Sequence, residues 1–149
     1  MDLKTLMVDT KAAWVEFPGL EGFSVEVANL SRKELQSLRK RCTTTKFDRR
    51  TRQAVDDLDE DKFVTEFTNA VIKNWKGLTL EYLETLILVD ISNKDPKAEL
   101  EYTKDNAEHL VANSTEFDNW LNEVVFDLDN FRSGGKTGTT KKTGKVLQE

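Results

Sequence analysis

The chain has 149 residues, 33% charged and 38% hydrophobic, which is the size and make-up of one globular domain. Its net charge of −5 is uneven: residues 133–149 carry +3 and residues 1–132 the remaining −8, which disfavours binding of nucleic acid or an anionic membrane by the body. A single cysteine, Cys42, excludes an intramolecular disulfide framework and suits a reducing compartment.

No apolar run approaches the roughly 18 residues of a membrane span. The first ten residues carry Asp2 and no long apolar run, so no signal peptide is expected.

Residues 13–30 predict a β-hairpin. Trp14, Val15 and Phe17 are β-prone, Pro18 to Gly22 supply turn chemistry, and Phe23, Val25 and Val27 then alternate with Ser24, Glu26 and Ala28. Ser31 followed by Glu34 is a capping box, with Leu30 and Leu35 placed to staple the helix start. That helix is expected to run to about residues 40–42, with Leu35 and Leu38 facing inward. Thr43 to Phe47 and Ala54-Val55 flank a polar bend. They predict a second, short hairpin with Arg49, Arg50 and Arg52 at its tip.

Residues 59–75 predict a helix. Phe63, Phe67, Ala70 and Val71 recur at helical spacing, acids crowd its start, and Gly77 follows its end. Thr79 caps an expected helix over 80–89 that is apolar on more than one face, which suggests a central, heavily buried helix. Thr103 caps one reaching Asn113. Ser114 or Thr115 caps the last, whose stripe of Phe117, Trp120, Leu121, Val124, Val125, Leu128 and Phe131 faces one way. The expected fold class is α+β, mainly α: small N-terminal hairpin elements, then a bundle of about four helices. Residues 1–132 form the expected domain. Residues 133–149 are too polar and Gly/Thr/Lys-rich to offset their ordering entropy, so a disordered tail is expected there.

Candidate chemistry is sparse. The lone His109 lies in a polar helix with nothing to place it beside Cys42 or a serine, and one His with one Cys cannot supply a His/Cys zinc site. Asp57, Asp59 and Asp61 imitate a calcium loop, but Lys62 stands where glycine is needed and Thr68 where a bidentate Glu is needed. Gly135-Lys136-Thr137 copies the end of a phosphate-binding loop, yet Asn130 replaces its first glycine. Binding rather than catalysis is therefore expected, with no cofactor and no metal. The candidate contact residues are Arg49, Arg50 and Arg52 at the hairpin tip, and Trp120, Val124 and Leu128 on the last helix.

An ordered set of segments resembles the tail assembly chaperones of long-tailed (siphovirus-type) bacteriophages. The segments are Trp14-Val15-Glu16-Phe17-Pro18-Gly19-Leu20-Glu21-Gly22-Phe23, Leu30-Ser31-Arg32-Lys33-Glu34-Leu35 and Lys46-Phe47-Asp48-Arg49-Arg50-Thr51-Arg52-Gln53, followed by Trp75-Lys76-Gly77-Leu78-Thr79 and Asn113-Ser114-Thr115-Glu116-Phe117-Asp118-Asn119-Trp120-Leu121. The resemblance implies a non-enzymatic protein of the host cytoplasm, absent from the finished virion. Such a protein binds the tape-measure protein, keeps it soluble, helps recruit tail-tube protein and often self-associates. It also implies a longer form made by ribosomal frameshifting within the tail. The alternative is a minor structural protein of the particle, such as a head–tail connector component.

Overall fold

The sheet that organises the molecule joins two distant parts of the chain. The structure is a computed structural model and describes residues 1–8 and 11–132. Strands β1 (Ala12–Glu16) and β2 (Ser24–Ala28) pair antiparallel, and β5 (Ile72–Lys76) pairs with the other edge of β2, giving the order β1-β2-β5. A second sheet holds only β3 (Thr43–Asp48) and β4 (Gln53–Leu58). The helices are α1 (Leu3–Leu6), α2 (Arg32–Arg41), α3 (Glu60–Val71), α4 (Leu80–Leu86), α5 (Lys104–Asn113) and α6 (Thr115–Phe126), with a 3-10 turn over Leu128–Phe131.

Local chemistry starts the helices. Ser31 Oγ accepts from Glu34 N at 3.1 Å while Glu34 Oε1 accepts from Ser31 N at 2.9 Å, so the predicted capping box forms. Asp59, Thr79, Thr103 and Ser114 each accept from a backbone N–H in the first turn of α3, α4, α5 and α6. Each such cap satisfies a donor that the helix cannot.

Burial then fixes the layers. Phe23, Val25 and Val27 point from one side of the β2 segment and are fully buried. They join Phe67, Val71, Leu110, Phe117, Leu121 and Val125 from α3, α5 and α6 in one core. The other side of the sheet carries Ala12, Ala28 and Trp14 among polar residues, and the Trp14 ring lies 4.7 Å from Lys76 Nζ. Phe17, Phe23, Phe117 and Trp120 form an aromatic cluster with centroid separations of 4.9 to 6.3 Å. Two amides tie off carbonyls near the end of α6: Asn29 Nδ2 donates to Val125 O and Asn130 Nδ2 to Val124 O.

The expected architecture, mainly α with hairpins first and a helix bundle after, is corrected on three points. First, the described residues form an α+β fold with six helices and two small sheets, and the helices pack on a three-stranded sheet instead of only on each other. Second, the helix expected over 59–75 stops at Val71, and Ile72–Lys76 is the strand that completes that sheet. Its pairing slips between Glu26 and Val27, so Lys73 is an extra, bulged residue. The bulge turns both Ile72 and Trp75 inward although they stand three apart, a spacing that a regular strand would split between its faces. Gly77, φ +78, therefore follows a strand, and a Cβ there would lie 2.0 Å from Gly22 O.

Third, α4 ends at Leu86 instead of residue 89 and is not central. Ile87 is extended (φ −143°), and Ile87 and Val89 pack against the core while Leu88 stands in solvent. The two predicted hairpins, the start of α4 and the helix from Thr103 to Asn113 lie where the sequence put them. The tail at 133–149, with its expected disorder, lies outside the described residues.

Candidate partner-binding surfaces

The second hairpin is an arm. Its chain leaves and re-enters the body at one point, where Asp59 N donates to Cys42 O at 2.8 Å. At the base Thr43 and Leu58 are half-buried; beyond them Phe47 is 62% and Val55 47% exposed. Six paired residues extend the arm about 20 Å. Lys46 pairs with Asp57 at 3.1 Å and Thr45 Oγ1 donates to Asp56 at 3.0 Å, so the acids on the flanks are engaged.

The tip is different. Asp48 organises the four-residue loop: its Oδ1 accepts from Arg50 N at 2.8 Å and its carbonyl from Arg52 N at 2.7 Å. Arg49, Arg50 and Arg52 are exposed, and none makes an ion pair among the described residues. Arg52 has φ +58, the single positive φ outside glycine among the described residues. That conformation costs an L-residue about 1–2 kcal/mol, and glycine or asparagine would adopt it more cheaply. The sequence carries a long cation where the backbone asks for a small residue.

The predicted face of α6 is split by the fold. Trp120 and Val124 pack against the core at its rim, with Trp120 4.9 Å from Phe17 and 5.6 Å from Phe117. Leu128 is 56% exposed, and neighbouring Phe126, which the sequence reading passed over, is 41% exposed. Phe126 falls outside the buried stripe by helical phase, which is the signal that could have found it. No hydrogen bond or ion pair joins the arm tip to α6 among the described residues, so the two candidate sets are separate surfaces of one molecule.

The remaining candidates resolve into local structure. Asp59 is the N-cap of α3, with Glu60 and Asp61 in its first turn, and Asp57 belongs to the arm. His109 Nε2 faces Asp105 at 3.5 Å on the exposed side of α5, while Cys42 is buried. Burial pushes the Tyr102 hydroxyl above its ordinary pKa, and the charge of Glu108 adds to the effect. Among the described residues no group of three His, Cys, Asp or Glu could hold a metal, and no helix is long and apolar enough to cross a membrane. Gly135-Lys136-Thr137 lies outside the described residues.

Comparison with family models, with curated proteins and with solved structures gives no match for this chain. The resemblance to tail assembly chaperones thus rests on the ordered segments quoted above.

Proposed function

We propose that this chain is a tail assembly chaperone of a long-tailed bacteriophage: it binds the tape-measure protein in the host cytoplasm, keeps it soluble, and promotes assembly of the tail tube without entering the virion. The observation that carries the reading is apolar surface left in water on an acidic body. Phe126 at the end of α6 is 41% exposed and Leu128 just after it 56%, and Leu3, Leu6 and Met7 in the N-terminal segment are also unburied. A long helical client with apolar stripes needs such a surface to shield it, and surrounding negative charge keeps the complex dispersed.

Co-expression with the tape-measure protein tests this. The chain should move that protein into the soluble fraction. Phe126→Asp with Leu128→Asp should cut its recovery about tenfold without lowering the melting temperature of the chain itself. Unchanged tape-measure solubility would overturn the reading. Recovery of the protein from purified virions would instead favour a minor structural component of the particle.

A further inference from the structure

The arm tip offers three exposed arginines with no ion partner of their own. Acid is dense in two regions: at residues 56–61, where Asp56 and Asp57 are engaged on the arm itself and Asp59 caps α3, and along α5 and α6. From Asp105 to Phe131, spanning α5 and α6, the chain has seven acidic residues and no lysine or arginine. On α6, Glu116, Trp120 and Glu123 follow at spacings of four and three residues and form one line along the helix, and Asp127, the residue that ends it, adds a third carboxylate, whose Oδ1 accepts from Asp129 N at 3.1 Å. Glu116 and Glu123 are exposed and make no hydrogen bond or ion pair among the described residues. Trp120 is half-buried between them, with its ring tilted against Phe17 and Phe117.

We propose that this line on α6 is the docking site for the arginine tip of a second copy of the chain. Exposed carboxylates accept arginine side chains in bidentate pairs, and Glu116 and Glu123, two turns apart, can take two of them with the half-buried Trp120 between. The tip presents Arg49, Arg50 and Arg52 from a rigid turn, and the arm carries them clear of its own body. The strained Arg52 fits this role, since a cation is kept where a smaller residue would relieve the backbone. Nucleic acid is the poorer occupant. A phosphate backbone laid on the tip would meet Asp48, Asp56 and Asp57 on the arm and the −8 of residues 1–132 behind it.

Tip and line are different surfaces, so the contact is head-to-tail, and it closes into a ring or continues as a chain of subunits. Copies joined this way would array their apolar α6 ends along an elongated client. The self-association stands without that client and is measured without it.

The test uses the full chain in sedimentation velocity at low ionic strength. The wild type should gain mass with concentration up to about 1 mM, and raising NaCl from about 50 mM to about 500 mM should weaken association about tenfold, because exposed pairs are screened. Arg49→Glu with Arg50→Glu and Arg52→Glu should be monomeric. So should Glu116→Lys with Glu123→Lys and Asp127→Lys. All six sites are on the surface, and circular dichroism checks that both variants fold. An equimolar mixture of the two variants should associate again, since each supplies the charge the other now lacks. A wild type that stays monomeric, variants that associate as the wild type does, or a mixture that fails to recover would each overturn the proposal. In the first case an acidic protein other than this chain becomes the candidate for the tip.

Discussion

The two hairpins of this molecule are alike in pairing and strand length and differ greatly in what covers them. Both are antiparallel, and their strands have five or six residues. In β1–β2, the third strand β5 and three helices cover the pair, and Val25 and Val27 are wholly buried. In β3–β4 nothing covers the strands beyond their base, and Phe47 and Val55 face water. A two-stranded ribbon alone is marginal in water, whereas a third strand and a packed face give independent stability. The contrast teaches that the energy of a strand lies in what covers it. The first hairpin builds the core; the second is free to be shaped by its tip.

The sharpest way to probe the covered sheet is Phe117→Ala. Phe117 is fully buried beside Phe17, Phe23 and Trp120, and its removal should cost about 3–5 kcal/mol in urea unfolding. Gly77→Ala should follow at about 2 kcal/mol or more. It forces a side chain onto a left-handed residue and a Cβ against Gly22 O, which breaks the approach of the β5 exit to the β1–β2 turn.

The arm should respond far less. Replacing residues 44–57 by Gly-Gly is feasible because Cys42 and Asp59 are already joined by a backbone hydrogen bond. It should change unfolding free energy by under about 1 kcal/mol, and a loss above about 2 kcal/mol would break the comparison. Arg52→Gly should stabilise the protein by about 0.5 kcal/mol: it relieves the left-handed residue and gives part of that gain back as unfolded-state entropy. A loss of stability would show that the Arg52 side chain holds the arm.

The smallest effect concerns Tyr102, whose hydroxyl donates to Ile72 O at 3.3 Å at the start of β5. Its pKa is raised in the native state, so the folded protein holds this proton more tightly than the unfolded chain does. The contribution is whole below the ordinary tyrosine value of 10.0 and is lost as pH climbs through the raised native value. Urea midpoints measured across that alkaline range should fall less steeply for Tyr102→Phe than for the wild type.

What could be read from residues alone was local. Ser31 with Glu34, Thr79, Thr103 and Ser114 specify helix starts because a cap needs only its own first turn. The alternation of Phe23, Val25 and Val27 specifies a strand with one buried side, and the polar bend from Asp48 to Arg52 specifies the arm and its cationic tip. Phe67, Val71 and Trp75 stand four apart and imitate one helix face. The bulge at Lys73, which puts Trp75 inside from a strand, depends on β2 lying alongside. The stripe on α6 likewise looks uniform in sequence. Phe117, Leu121 and Val125 are buried, but the helix stops at Phe126, and the 3-10 turn that follows leaves Leu128 in water while it buries Phe131.

The sequence by itself determined where the capped helices begin, which hairpins form, and that three arginines sit together at the bend between Phe47 and Gln53. Only the tertiary structure decided which strand pair becomes core, which apolar residues remain exposed, and that the arginines and the acids lie on separate surfaces. The reason is physical: caps and turns are satisfied by neighbours in sequence, whereas burial is granted by elements that the chain brings back from far away.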